Sequence, residues 1–368
     1  MSHYFFALVF LLFVSEAFAQ EPVQGGAQSR GNSFNPDIGL NLLMLYQNSN
    51  RGNDPNVEDP NGFSIQEAEL QFSADVDPYW RLVSTFALHS EFDEEEGTRE
   101  MHFGAEEAYA ESLAIPVTTL KVGKFKAAFG KHNLLHAHAF PFIDAPLINT
   151  DLLGEEGFND VGASVAALLP TPWFSEVTLQ GLSGKGEGLE YFDGPSANNV
   201  VGVLHLKNLW DLTDDLTFEL GVSGASGENA SASSTNLYGV DTTFKWRPNG
   251  SRERAVIWST EVMSRDFNQA STDERDAGFA TWLQYQFSTR WWVQARAEYL
   301  QARQQDLAAE DPLPEFQRKQ SVLVGFVPSE FSAVRLQYDH LNDGEKDAEQ
   351  RVMLQLNYSI GAHPAHAY

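Results

Sequence analysis

The feature that most constrains this chain is an alternation of apolar and polar residues with a period of two, which recurs along most of its length. Between Gln66 and Val76 the even positions form the apolar face, Gln66 included, whereas the odd positions carry acids and small polar residues. The segment 350–361 alternates in the same way. A strand with lipid on one side and water on the other requires this period, so the pattern predicts strands with one apolar face.

The number of alternating segments predicts a closed sheet. Residues 20–368 contain no run of eighteen or more apolar residues, so they offer no transmembrane helix. We expect an all-β fold, a transmembrane antiparallel β-barrel of about sixteen strands, at 37–47, 64–76, 80–90, 102–114, 118–130, 159–169, 174–184, 199–210, 216–226, 237–247, 255–265, 277–287, 291–301, 317–327, 332–341 and 350–361.

The connections and the aromatic residues support a barrel. Short turns alternate with longer polar connections, as in barrels with short periplasmic turns and long outer loops. Aromatic residues lie beside the short turns, which is typical of a girdle at a lipid interface but also of core anchors in a soluble β-sandwich, at Tyr79, Trp80, Trp173, Phe174, Trp210, Trp246, Trp291 and Trp292.

The N-terminus predicts export. An apolar run from Tyr4 to Val14 is followed by Ala17-Phe18-Ala19, the pattern of a signal-peptide cleavage site. We expect residues 1–19 to be a signal peptide and residues 20–368 to form the barrel in the bacterial outer membrane. Its partners would be the lipid bilayer, lipopolysaccharide and the outer-membrane assembly machinery, which commonly recognises a terminal aromatic residue such as Tyr368.

Composition excludes other classes. The chain has no cysteine, so a disulfide framework and a thiolate metal site are both ruled out. Its net charge of −27 argues against nucleic-acid binding, because a phosphate backbone would be repelled.

One segment has the character of a motif. Residues 120–130, LKVGKFKAAFG, together with Glu106-Glu107-Ala108-Tyr109, resemble the strand motif of phosphate-selective porins and related general porins. The resemblance implies a sixteen-stranded homotrimer in which Lys124 and Lys126 face the lumen. Residues 136–146 and 153–157 are similar to poorly characterised outer-membrane barrels, some labelled zinc-regulated outer-membrane receptors.

The polar phase of the strands gives the candidates for lining a lumen. Most of these residues are acids, which departs from the anion-attracting pattern of the phosphate-selective family. Besides Lys124 and Lys126, the candidates are Glu67, Glu69, Glu219, Asp241, Lys245, Glu261, Arg296, Glu298, Arg335 and Asp339.

The longest connection, Lys131 to Phe158, holds the candidate metal ligands. His132, His136 and His138 fall within seven residues, and imidazoles bind zinc or copper when they converge. A divalent metal in this loop is the one cofactor that the sequence suggests. The alternative is that the histidines pair with Asp144, Asp151, Glu155 or Glu156, or contact the wall.

Three functions remain open, in order of preference. The first is a porin-like channel for diffusion of small hydrophilic solutes or ions. The second is a metal-binding, zinc-type receptor or uptake barrel, and the third an enzyme on the barrel rim. No nucleophile elbow, phosphate-binding loop or H-E-x-x-H pair occurs, so we predict that the chain is not an enzyme.

Overall fold

The computed structural model describes residues 36–52, 60–93, 98–186, 188–196, 199–268, 273–301, 316–344 and 347–361. Within these ranges the chain forms sixteen strands: β1 Asp37–Ser49, β2 Gly62–Asp75, β3 Trp80–Asp93, β4 Thr98–Ser112, β5 Thr118–Lys126, β6 Asn159–Leu168, β7 Phe174–Leu182, β8 Val201–Thr213, β9 Leu216–Glu228, β10 Ser234–Trp246, β11 Ala255–Asn268, β12 Asp273–Gln286, β13 Trp291–Gln301, β14 Gln317–Ser329, β15 Ser332–Asn342 and β16 Glu349–Gly361. The predicted signal peptide and Tyr368 lie outside the described residues.

The strands close into a barrel. Each pairs antiparallel with its neighbour along the chain, and β1 pairs with β16, so that Leu40 lies opposite Ile360. The prediction of an antiparallel barrel of about sixteen strands is confirmed. No helix in the described ranges is long and apolar enough to cross a membrane. The helices are α1, Leu147–Leu153, and 3-10 turns at His132–Leu134, Ala137–Ala139, Glu190–Phe192 and Pro248–Gly250.

The period-two alternation sorts side chains between the two faces of the wall. On β15, Arg335, Gln337 and Asp339 are 5%, 0% and 2% exposed, whereas Leu336 and Tyr338 between them are 51% and 39% exposed. Charged groups therefore point to the interior and apolar groups to the outside, which is the arrangement that a lipid environment requires.

Exposed aromatic residues gather at the end of the barrel that carries the short turns. Tyr79, Trp173, Trp246 and Trp291 are all exposed there, as a girdle requires. Trp292 differs from the expectation, because successive residues of a strand point to opposite faces. It points inward and packs against an interior apolar cluster.

A β-bulge in β2 and another in β4 interrupt the alternation near the lumen, and further register shifts lie at the ends of the β8–β9 and β14–β15 pairs. Leu43 of β1 lies opposite Glu67 but the next residue lies opposite Ile65, so Gln66 is the extra residue. Gln66 was expected on the apolar face, but its side chain points inward and donates to the Ile143 carbonyl at 2.8 Å. In β4, Glu106 is the extra residue, between Ala105 and Glu107 in the register with β3. Each bulge turns two consecutive polar side chains toward the interior.

The outward position of Leu336 gives a test of this orientation. Leu336→Arg should lower the free energy of unfolding in lipid vesicles by about 2–4 kcal/mol, because a cation near the bilayer midplane has no water to solvate it. The measurement is denaturant unfolding followed by tryptophan fluorescence.

Leu336→Ala is the matched control and should lose less than the arginine variant, because it removes apolar area without adding a charge. Equal stability of the arginine variant and the wild type would mean that this face does not contact lipid.

Candidate functional site

The connection between β5 and β6, residues 127–158, lies inside the barrel and reaches both walls; we call it the crossing segment. On one side Nδ1 of His136 is 2.7 Å from Oε2 of Glu106 on β4. Across the barrel, the Lys131 amide donates to Glu261 on β11 at 3.0 Å, and the Ile143 amide donates to Oε1 of Gln337 on β15 at 2.8 Å. In the closed order β4 and β11 are seven strands apart, so the segment spans the barrel and narrows its lumen.

The crossing segment enters the interior beside β9 to β11. The Gly130 amide donates to the Ser223 hydroxyl at 2.9 Å, and the Lys131 amide donates to Glu261 at 3.0 Å. Nζ of Lys131 forms an ion pair with Glu219 at 2.9 Å. Backbone amides that have left the sheet thus find acceptors on the wall, which a buried loop requires.

Helix α1 fastens the second half of the segment by apolar contact. Ile148, Leu152 and Leu153 are fully buried and belong to a cluster with inward residues of the wall, such as Leu237 and Leu300. This part of the lumen is therefore an apolar core, although we expected a polar lining throughout. Burying each such side chain stabilises the packing by roughly 1.5–3 kcal/mol relative to exposure.

Asp144 ties the middle of the segment to a group of cations on the wall. It forms ion pairs with Arg296 of β13 at 2.8 Å, with Lys319 of β14 and with Arg351 of β16 at 3.3 Å. Burial by itself would raise the pKa of Asp144, but the three cations, Arg296 above all, hold that pKa well below its ordinary value. The carboxylate is therefore ionised at neutral pH.

Wall carboxylates complete this ionic group. Arg296 also pairs with Glu298 at 2.7 Å, and Arg351 with Asp339 at 3.0 Å. The amide of Leu147, the first residue of α1, donates to Glu298 at 2.6 Å. The charges are paired, so the lumen tolerates them, and removal of one partner would leave the others uncompensated.

The first half of the segment is held by the opposite combination, histidines on wall carboxylates. Nδ1 of His136 is 3.2 Å from Glu69, and Nε2 is 3.0 Å from Glu107. Nδ1 of His138 is 3.2 Å from the same Glu69 oxygen, Oε2. Burial would lower the pKa of His136, but its hydrogen bonds with Glu106 and Glu107 raise that pKa to about 10.

His132 does not join the other two histidines, although the sequence suggested all three as metal ligands. Its ring packs on Phe140 with the centroids 4.4 Å apart. Burial, with Arg296 and Lys126 nearby, lowers the pKa of His132 to about 3. The structure instead groups His136 and His138 with acids of β2 and β4, a ligand set that the sequence did not suggest.

Most of the predicted lumen residues occupy the inward phase of their strands. These residues lie inside the barrel, where they contact the crossing segment or other inward side chains. They are Glu67, Glu69, Glu219, Asp241, Lys245, Glu261, Arg296, Glu298, Arg335 and Asp339. Lys126 ends β5 and lines an interior cavity of about 120 Å³ with Glu67 and Glu106.

Lys124 has to be corrected. Lys124 lies opposite Val161, which is exposed on the outer face, and two residues after Val122, which is exposed there as well. Its position on β5 therefore belongs to the outward phase. Nζ of Lys124 donates to the Ala105 carbonyl at 2.7 Å. Lys121 is in the inward phase instead, 4.0 Å above the Tyr109 ring. Strand β5 is short and rich in lysine, so the sequence gives little alternation from which to identify its apolar face.

Two cavities flank the crossing segment. The cavity near the short turns, about 420 Å³, is lined by His138, Lys245, Arg247 and Arg335, with amide side chains and no carboxylate among its described lining residues. We call it the basic vestibule. The second, about 470 Å³ near the long loops, is lined by Glu91, Glu106 and Glu156 besides His89 and His102. Lys124 also borders it, because the pairing of β4 with β5 ends at this residue and its Nζ reaches across to the Ala105 carbonyl.

Comparisons with known proteins support the fold. No family model matches the chain. An uncharacterized protein of Aquifex aeolicus is 28% identical over 369 residues, covering 89% of this chain and 75% of the relative. OprB of Pseudomonas putida superposes with a TM-score of 0.63 at 12% identity, over 89% of this chain and 94% of that one. DcaP, an outer membrane channel of Acinetobacter baumannii, gives 0.55 at 11% identity, over 89% and 96%. The chain thus has the fold of outer-membrane porins, whereas its resemblance to the phosphate-selective family is not confirmed.

The ion pairs of Asp144 generate a prediction with a matched control in the same segment. Asp144→Asn should lower the free energy of unfolding at pH 7 by about 3–5 kcal/mol, because it leaves the three wall cations with only the carboxylates of Glu298 and Asp339 as partners. Asp151→Asn should cause no loss, because burial raises the pKa of Asp151 to about 6 and already disfavours its ionised form. Denaturant unfolding in lipid vesicles measures both.

The pH dependence has opposite signs at the two acids. The depressed pKa of Asp144 contributes stability above its unfolded value of about 3.9, and that stability is lost as the pH falls through the lower folded value. The raised pKa of Asp151 costs stability as the pH rises from about 3.9 to 6, so Asp151→Asn should be stabilising above that range. Equal losses in both variants would show that packing, not charge, holds the segment.

Proposed function

We propose that the chain forms a channel in the bacterial outer membrane through which small hydrophilic solutes diffuse. The observation that carries the proposal is the crossing segment, which leaves a cavity with charged lining residues on each side instead of filling the lumen along its whole length. A sixteen-stranded barrel is wide enough to hold an aqueous path beside such a segment. The proposal implies that solute size is limited where the segment meets β13 to β16.

The charges beside the segment suggest an ion preference. The basic vestibule carries Lys245, Arg247 and Arg335 without a lining carboxylate among its described residues, although the chain as a whole has a net charge of −27. Fixed charge of one sign in a narrow space raises the local concentration of the opposite ion. We therefore propose that the vestibule favours anionic solutes over cationic ones of the same size.

Two further features belong to the proposal. The homotrimer implied by the sequence resemblance stays a prediction, as does insertion by the outer-membrane assembly machinery.

An enzyme of the rim gains no support, because the cavity near the long loops offers His89, Glu91 and His102 but no Ser, Thr or Cys among its described lining residues. A metal receptor would have to release an ion held near Glu69 and His136, and both of these side chains are buried.

Conductance of the purified protein in a planar bilayer tests the channel. We expect ohmic steps and, in a salt gradient, a reversal potential with the sign of anion preference. A folded barrel without conductance would contradict the proposal.

The double variant Lys245→Gln with Arg247→Gln should move the reversal potential toward cation preference and lower the anion to cation permeability ratio several-fold, because it removes two charges from the basic vestibule. Lys185→Gln is the control. Lys185 lies in the β7–β8 connection and pairs with Asp193, away from the vestibule, so removing its single positive charge should leave the reversal potential in place. Similar shifts in both variants would assign selectivity to overall surface charge.

A further inference from the structure

A compact group of carboxylates and imidazoles lies where the crossing segment meets β2 and β4; we call it the Glu–His cluster. The wall supplies Glu67, Glu69 and Glu106, and the segment supplies His136 and His138. They form two overlapping triads that share Glu69, and within each triad one ligand atom from every residue lies within 4.8 Å of the others. Three elements distant in sequence thus converge on one point.

The oxygen Oε2 of Glu69 is the centre of this group. It is 3.2 Å from Nδ1 of His136 and 3.2 Å from Nδ1 of His138. Four-coordinate zinc has ligand bonds of about 2.0–2.2 Å, which places neighbouring ligand atoms about 3.3–3.6 Å apart. Each of these separations is therefore close to that of an imidazole nitrogen and a carboxylate oxygen that bind one ion.

The second nitrogen of His136 has the partner that a metal-bound histidine requires. Nδ1 faces Glu69 and Glu106, whereas Nε2 is 3.0 Å from Oε2 of Glu107. Histidines that bind metals commonly donate their other ring N–H to a carboxylate, which fixes the tautomer and the orientation of the ring. Glu107 occupies this position because the β4 bulge turns it inward together with Glu106.

Glu67 gives an observation that does not depend on the histidine geometry. Its side chain is 9% exposed, and Oε1 of its carboxylate has no hydrogen-bond partner among the described residues. A buried carboxylate oxygen without a partner is costly. An imidazolium at His136 would satisfy Glu106 and Glu107 but would leave this oxygen without a donor, whereas a cation within the cluster would attract it.

We propose that the Glu–His cluster binds a divalent first-row transition-metal ion such as Zn²⁺, with Glu69, Glu106 and His136 as core ligands and with Glu67 and His138 beside them. A mixed set of imidazole nitrogens and carboxylate oxygens suits such an ion, whereas Ca²⁺ and Mg²⁺ prefer oxygen alone. The ion fastens the first half of the crossing segment to β2 and β4. The site is structural and goes beyond the proposed transport.

Titration of Zn²⁺ into the metal-free protein in detergent micelles tests the site. We expect one Zn²⁺ per chain by competition with a chromophoric chelator, and no displacement by excess Ca²⁺. Glu69→Gln should weaken binding more than 100-fold, because it removes the shared ligand. Glu107→Gln should weaken it by about 10–100-fold, the range for partners that orient a ligand. X-ray absorption of the zinc complex should show nitrogen and oxygen neighbours with imidazole scattering.

His205→Gln is the matched control. His205 is also a buried, inward histidine, but Nδ1 bonds to the Ser223 hydroxyl at 2.8 Å and no acid of the cluster is near it. Zinc affinity should be unchanged in this variant. Glu67→Gln is a second test of the site in case Glu69→Gln does not fold. Oε1 of Glu67 makes no hydrogen bond that this change would break. Glu67→Gln should weaken zinc binding at least 10-fold.

Three results would overturn the proposal. They are no stoichiometric Zn²⁺ on the folded wild type, full affinity in folded Glu69→Gln and Glu67→Gln, or zinc spectra without imidazole. Conductance is measured separately, so a channel that binds no metal would reject this site and leave the proposed transport standing.

Discussion

The structure depends on one constraint, that a backbone surrounded by lipid must satisfy its own hydrogen bonds. The amides and carbonyls of the strands are satisfied because the sheet closes, with β1 paired to β16. Closure fixes an inside and an outside for every strand. The alternation of polar and apolar residues then decides which side chains meet water, lipid or the crossing segment.

Closure also creates the problem that the crossing segment solves. A wall of sixteen strands encloses more space than its own side chains can fill, and that space must hold either water or another part of the chain. Residues 127–158 occupy part of it through two attachments of opposite polarity. An acid of the segment, Asp144, binds wall cations, whereas segment histidines bind wall acids such as Glu69. Each attachment would be repelled by the wall that holds the other, so the charges define the orientation of the segment.

The sequence predicted the barrel well because alternation is a local property. It predicted less of the site, for three physical reasons. A bulge shifts the phase by one residue, so Gln66 was assigned to the wrong face, and the inward position of Glu106 depends on the register with β3. A short lysine-rich strand carries little alternation, so Lys124 was assigned to the lumen although Lys121 occupies the inward phase.

The third reason is that the attachments join residues far apart in the chain. Asp144 meets Arg351 across 207 positions, and His136 meets Glu106 across thirty. No spacing rule relates such pairs. An inward phase on β14 and β16 could have marked Lys319 and Arg351 as wall cations, but only the path of the crossing segment shows which acid they bind.

The cost of these charges indicates what they contribute. A buried ion pair loses about as much in desolvation as it gains in attraction, and packed apolar residues of equal volume would often be as stable. The apolar cluster around α1 is such a solution, and it packs Ile148, Leu152 and Leu153 against the wall. The first half is held by ionic contacts in the part of the lumen that borders the basic vestibule, where an apolar plug would exclude water. Charged attachments hold the segment in one place and keep the remaining path polar.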